Sequence, residues 1–151
     1  LLTEHPDQKT ALWNDFEVLA PKAAEEIVRW SSPVIYMRRT ATRDGLRIGD
    51  HEFSEGDKVA LYYWAANRDP QVFEDPHKFN IFREAKEHFG YGAPGPHFCL
   101  GAHLARREIT VMLREICRSV PDIQATAPPD RLLSNFINGI KHLPCTYSFN
   151  S

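Results

Sequence analysis

One stretch of this 151-residue chain combines residue types and spacing suited to chemistry: Phe89-Gly-Tyr-Gly-Ala-Pro-Gly-Pro-His-Phe-Cys-Leu-Gly-Ala-His-Leu-Ala-Arg-Arg-Glu108. Gly90, Gly92, Pro94, Gly95 and Pro96 punctuate its first half too densely for a helix or a strand. From Cys99 onward helix formers take over. Cys99 therefore stands where a stiff loop turns into a long helix. Unpaired N–H groups and the positive end of the helix dipole favour a thiolate there. The thiolate is the form that attacks electrophiles or binds metal. Gly101 leaves one face of the turn bare, so a flat group can approach the backbone closely.

Three roles compete for Cys99 on the residues alone. It is a buried structural thiol, a nucleophile served by His103 or His142, or a metal ligand. Zinc is poorly supported, because His97 and Cys99 lack a second ligand pair at zinc-site spacing and Cys117 and Cys145 stand alone. The nucleophile lacks an orienting third residue at a recognisable spacing. A single thiolate in a glycine-rich loop suits haem iron, which takes one strong axial ligand and needs a flat surface beside it.

The elements that must hold this loop read as an α+β chain, mainly helical. A helix end is expected over 1–7 and a short helical or turn segment over 8–16. A helix opening at Pro21 is predicted to run to about Ser31, where Pro33 stops it. Glu26 and Arg29 share one face of that helix. Strands are predicted over 34–42, over 46–53 with a turn at Gly49-Asp50, and over 58–64; together they suggest one small, mostly antiparallel sheet. A short helix follows Trp64. The segment 75–87 reads as a long irregular loop, kept from disorder by Phe79 and Phe82. The longest helix is predicted over 99–120, with Ala105, Ile109, Met112, Ile116 and Val120 at helical spacing. Strands over 131–140 and 143–149 close the chain.

Bulk properties exclude other classes. The formal net charge of −2 gives no reason to expect a nucleic-acid partner. The sequence shows no transmembrane run, so no membrane anchor is expected in this chain, and no signal-like start. Its three widely spaced cysteines are not a disulfide framework. A reducing cytoplasm is the expected setting. The chain starts at Leu1 without a methionine, and an N-terminal part of a larger protein is expected to be missing.

The motifs in order resemble one family. Gly95, His97, Cys99 and Gly101 resemble the G-x-H-x-C-x-G core of the cytochrome P450 haem-binding loop. Gly101 to Glu108 is similar to that family's G-A-x-L-A-R-x-E helix. Glu26 to Arg29 resembles its E-x-x-R helix, and Ala66 to Phe73 its A-N-R-D-P-x-x-F stretch. Pro76 to Arg83 resembles the meander. Tyr36 to Thr40 and Leu132 to Pro144 look most like mycobacterial-type members that hydroxylate branched lipids or sterol side chains. The departures are Tyr91 where phenylalanine is usual, Ala93-Pro94 where glycines or polar residues are common, and Lys78 where arginine or histidine often completes the E-x-x-R triad. Lys78 and Arg83 both remain candidates for that role.

The resemblance implies that residues 1–151 form the C-terminal portion of one such domain, without its distal helix. No catalytic residue is then expected within this chain. It implies haem b (iron protoporphyrin IX) with Cys99 as the iron's axial ligand, tuned by loop N–H groups from Phe98 to Gly101. His97 and Arg39 would pair with the haem propionates, and Tyr91, Gly92, Phe98 and Gly101 would contact the cofactor. Glu26 and Arg29 would form a buried structural pair. Ile35, Met37, Phe136 and Ile137 would face a lipophilic substrate. Ferredoxin and its reductase would supply electrons, with Arg106 and Arg107 meeting the acidic ferredoxin. The implied reaction is hydroxylation of a lipophilic substrate with dioxygen. The alternative is an inactive or non-enzymatic fragment without a competent haem site; a thiol-nucleophile enzyme is more distant still.

Overall fold

The computed structural model describes residues 1–84 and 87–149. Helix α1 spans Pro6–Asn14 and helix α2 spans Phe16–Ser31. The predicted start of α2 at Pro21 is thus five residues late. Proline removes one backbone hydrogen bond inside a helix. Here packing outweighs that loss: Leu12, Ala20 and Ala23 are buried together with Phe79, Ile81 and Leu113, and Phe16 and Leu19 pack against them. Pro21 itself faces solvent. At the other end Ser32 adopts a left-handed conformation, φ 39°, and its Oγ donates to the Arg29 carbonyl at 2.8 Å. That turn closes α2 just before Pro33.

The strands do not form the single sheet expected. Strand β1 (Tyr36–Thr40) pairs antiparallel with β4 (Lys58–Tyr62), Tyr36 opposite Tyr62 and Arg39 opposite Val59. Strands β2 (Leu46–Ile48) and β3 (His51–Phe53) form a separate hairpin whose turn holds Gly49 at φ +57°. The third strand stops at Tyr62 because helix α3 (Tyr63–Ala66) begins there. The Trp64 N–H reaches across to the Ile35 carbonyl at 3.2 Å, and the Arg68 guanidinium covers the Trp64 ring at 4.1 Å.

A 3₁₀ turn at Phe89–Tyr91 opens the cysteine loop, and helix α4 (Ala102–Ser119) follows it. Its start lies three residues beyond the predicted one, because Cys99 to Gly101 are still loop. Helix α4 packs across α2, with Ile109 shared by the two buried clusters.

The C-terminal segment pairs differently from the two strands predicted. Strand β5 (Gln124–Ala125) pairs with β8 (Cys145–Thr146), and β6 (Asp130–Arg131) with β7 (Ile140–His142). The long strand over 131–140 is broken by Ser134, whose Oγ accepts the Phe136 and Ile137 N–H groups at 3.1 Å each. The turn that results lies against the chain before β1: the Ile35 N–H donates to the Phe136 carbonyl at 2.9 Å, and Val34 bridges Ile137. The fold class remains α+β and mainly helical.

Candidate functional site

Glu26 and Arg29 lock the floor beneath the loop. Both are buried, and the contact is two-pronged: Arg29 Nε lies 2.7 Å from Glu26 Oε2 and Nη2 lies 2.8 Å from Oε1. A buried guanidinium needs acceptors for its other N–H groups. Arg29 Nη1 donates to the Asn67 and Pro76 carbonyls at 2.6 and 3.1 Å, and Nη2 to the Lys78 carbonyl at 3.2 Å. Glu26 also accepts the Asn80 N–H at 2.9 Å. The third member of this network is Arg83, whose Nε approaches Glu26 Oε2 at 3.3 Å. Lys78 turns away to an exposed contact with Asp75 at 2.7 Å. The pair of candidates left open by the sequence is thereby decided for Arg83.

Asn67 is the joint that sequence reasoning missed. It is fully buried. Its Nδ2 donates to Ser32 Oγ at 2.9 Å, and its Oδ1 accepts the Phe89 N–H at 2.6 Å. One side chain thus connects the end of α2 to the start of the cysteine loop. The signal was present in the Ala66-Asn-Arg-Asp-Pro70 motif, but spacing alone gives no partner.

Within the loop the backbone sets the position of Cys99. The Cys99 N–H donates to the Tyr91 carbonyl at 2.9 Å and the Phe98 N–H to the Gly95 carbonyl at 3.0 Å. These two N–H groups are therefore committed to carbonyls. Those of Leu100 and Gly101 have no acceptor among the described residues, which narrows the donors free for the sulfur to the two after Cys99. Gly92 takes φ +83°, a conformation that suits glycine, and it is buried. Cys99 is an exposed free thiol, and Leu100 beside it is fully exposed. A Cβ at Gly101 would meet nothing nearer than the Cys99 Sγ at 3.9 Å.

The remaining predicted residues fall into two groups. His97 and Phe98 are exposed on the loop. Arg39 is half-buried, with a hydrogen bond from its Nη1 to the Arg38 carbonyl at 3.0 Å. Met37 and Arg39 point to one face of β1, since side chains alternate along a strand. Ile35, Phe136 and Ile137 are brought together by the contacts described above, and Tyr36 packs edge-on to Phe136 at 5.8 Å.

Tyr91 is buried, with its ring 4.4 Å from the Arg106 guanidinium, and its hydroxyl has no hydrogen-bond partner among the described residues. Burial and the nearby Glu25 push its pKa up. Arg106 is bound to Glu25 by two hydrogen bonds, 2.6 and 2.9 Å. That leaves Arg107, not Arg106, as the exposed member of the pair expected to meet a partner. Burial raises the Glu25 pKa, but the hydrogen bonds from His88 and Arg106 outweigh it and hold the carboxyl at about 2.

The donor set fits haem. It offers one free, exposed thiol, a bare face at Gly101, unengaged N–H groups beside the sulfur, and the side chains of Arg39 and His97 as donors suited to carboxylates. The described residues contain no cluster of three or more His, Cys, Asp and Glu able to hold a metal ion on their own.

The loop carries an exposed thiol beside a buried E-x-x-R pair, and a family model for cytochrome P450 matches residues 18–126. The chain belongs to the cytochrome P450 family, whose cofactor is haem b. Among curated relatives it is 53% identical over 147 residues to the methyl-branched lipid omega-hydroxylase of Mycobacterium tuberculosis, covering 97% of this chain and 34% of the relative. It is 40% identical over 146 residues to the steroid C26-monooxygenase of the same species, covering 96% of this chain and 33% of that one. The chain therefore spans about a third of the length of the curated relatives it matches. Among solved structures, a Mycobacterium marinum cytochrome P450 in complex with pseudoionone matches with a TM-score of 0.91 and 40% identity, over 96% of this chain and 34% of its own. The mycobacterial resemblance read from the tail and from Tyr36 to Thr40 agrees with these relatives. No helix among the described residues is long and apolar enough to cross a membrane.

Proposed function

We propose that residues 1–151 are the C-terminal portion of a haem-thiolate monooxygenase that hydroxylates a lipophilic substrate. The observation that carries this reading is the exposed Cys99 thiol on a loop that commits the Phe98 and Cys99 N–H groups to carbonyls and leaves those of Leu100 and Gly101 free beside the sulfur. Cys99 would be the axial ligand of the haem iron. The thiolate-ligated haem would supply dioxygen activation, with electron donation from sulfur favouring O–O cleavage. The Leu100 and Gly101 N–H groups would stabilise charge on the sulfur. His97 and Arg39 would hold the propionates, and Tyr91, Gly92, Phe98 and Gly101 would form the rest of the protein surface against the macrocycle. Glu26 and Arg29 hold the loop's support in place and touch no substrate.

Ile35, Met37, Phe136 and Ile137 would face the substrate, because the β1 strand that carries Met37 also carries Arg39 on the same face. The higher identity to a hydroxylase of methyl-branched lipids than to a steroid monooxygenase supports a branched lipid over a sterol. Electrons would come from a ferredoxin and its reductase, with exposed Arg107 offering a cation to an acidic partner. Three unpaired cysteines suit a reducing cytoplasm.

The visible spectrum of the reduced, carbon-monoxide-bound full-length protein tests the reading. A thiolate-type Soret band that disappears in Cys99→Ala supports it. Failure of the full-length protein to take up haem would overturn it. Titrating the oxidised protein with methyl-branched lipids and sterols, and following the spin-state change, tests the substrate class.

A further inference from the structure

Helix α2 carries two adjacent carboxylates, and they serve different networks. Glu26 turns inward to Arg29 and Arg83. Glu25 turns to the cysteine loop. Its Oε2 lies 3.1 Å from His88 Nε2, while Oε1 and Oε2 accept Arg106 Nε and Nη2 at 2.6 and 2.9 Å. On its other side, His88 Nδ1 accepts the Gly90 N–H at 3.0 Å. In this arrangement Nδ1 is the acceptor for Gly90 and Nε2 is the nitrogen that faces Glu25.

We infer that Glu25 is a positioning residue for the Cys99 ligand loop, clamping it from both sides. The upstream arm runs from Glu25 through His88 to Gly90, in the turn whose last residue, Tyr91, accepts the Cys99 N–H at 2.9 Å. The downstream arm runs from Glu25 to Arg106, in the first turns of the helix that follows Cys99. The two arms meet again at Tyr91, whose ring lies 4.4 Å from the Arg106 guanidinium and 5.7 Å from the His88 ring.

Packing alone does not fix this side of the loop. A cavity of about 330 Å³ lies against it, lined by Glu25, His88, Tyr91, Pro94, Phe98 and Arg106 among others. At Gly90, by contrast, there is no slack: an added Cβ would come within 2.5 Å of Val28 Cγ1 and 2.9 Å of His88 Nδ1. The turn is thus pressed onto α2 at one point and held elsewhere by directional bonds. Charge-assisted bonds to a carboxylate are stronger than neutral ones and define geometry through their fork. A shift of this clamp moves the sulfur relative to the helix axis without unmaking the core.

The inference rests on Cys99 as the iron ligand, and two readouts on the intact haem-loaded protein separate the two claims. Glu25→Gln should speed amide hydrogen exchange at Gly90 and Cys99 by about tenfold, the effect of losing one charge-assisted hydrogen bond. Amides in the middle of α1 should exchange as before. The thiolate-type Soret band of the reduced, carbon-monoxide-bound form should lose intensity to the band of a protonated ligand. Arg106→Lys keeps the charge but not the fork, and should show the same changes more weakly, which covers the case of a poorly folding Glu25 variant. Unchanged exchange at Gly90 and Cys99 would overturn the clamp, as would an acceleration spread evenly over α1 and α2. Absence of the thiolate-type band in the unmutated protein would instead remove the ligand assignment and leave the clamp to be judged by exchange alone.

Discussion

Asn67 Oδ1 accepts the Phe89 N–H at 2.6 Å, and the same side chain donates to Ser32 Oγ at 2.9 Å. Asn67→Ala would leave the part-buried Phe89 N–H without a partner. Such a loss costs about 1–3 kcal/mol. Urea unfolding should show that decrease with an unchanged slope. Asn67→Asp keeps an acceptor for Phe89 but loses the donor to Ser32 and adds a buried charge, so it should be no better than alanine.

Arg29 makes five hydrogen bonds from a side chain that is 1% exposed. Removing one partner of a buried ion pair costs about 3–5 kcal/mol, because the other charge stays buried and uncompensated. Glu26→Gln and Arg29→Met are each expected to fall in that range. Arg29→Lys should be almost as damaging, since an ammonium cannot reach the carboxylate oxygens and three carbonyls together. Denaturant midpoints for the three variants check this; a mild effect of Arg29→Lys would mean that the fork is not what holds the meander.

Arg83 and Lys78 make a sharper comparison. Arg83 reaches Glu26 and, through its other nitrogens, the carbonyls of Glu74, Asp75 and Lys78. Lys78 holds only an exposed carboxylate, and surface pairs of this kind are weak and screened by salt. Arg83→Met is expected to lower stability by about 1–3 kcal/mol. Lys78→Met should leave the urea midpoint where it was. Equal effects would contradict the assignment of Arg83 to the network.

How much of this was legible in the sequence follows from what each feature depends on. Cys99 could be picked out because glycine, proline and helix propensity act locally, and so could Glu26 and Arg29, one helical turn apart. The strand pairing could not. Strands of two to five residues take their partners from tertiary contacts, such as the Phe136 carbonyl facing Ile35. The roles of Glu25 and His88 were equally hidden. Their meeting spans 63 positions, and an exposed-looking glutamate on an amphipathic helix carries no sign of its partner. The Arg106 contact was hidden for the same reason: its position on α4 suggested a surface charge, and nothing local announced the Glu25 carboxylate that α2 supplies to it.

The Glu25 cluster also sets a pH dependence. Its folded-state pKa of about 2 lies below the ordinary 4.5, so the ionised carboxylate favours the folded state. That contribution is complete above about 4.5 and is lost as the pH falls from there towards 2. The clamp is partly open to solvent, which limits its size. Glu25→Gln should therefore lower stability near neutral pH and flatten the acid limb of the urea-midpoint profile in that window. Parallel profiles for the two proteins would show that the carboxylate is not coupled to folding.

Gly101 separates folding from cofactor binding. Its φ of −86° is open to any residue, and an added Cβ would meet only the Cys99 Sγ, at 3.9 Å. The protein itself therefore has room for alanine. Replacing glycine by alanine at such a position stabilises by about 0.4–1 kcal/mol through the unfolded chain. A flat macrocycle seated on the thiolate against this face, as proposed above, would have no such tolerance, because the methyl would project into it. Gly101→Ala is thus expected to unfold at the same or slightly higher urea concentration in the haem-free state, yet to take up haem more weakly and with a displaced Soret band. Normal haem affinity in this variant would place the macrocycle away from Gly101 and require a different face of the loop for the cofactor.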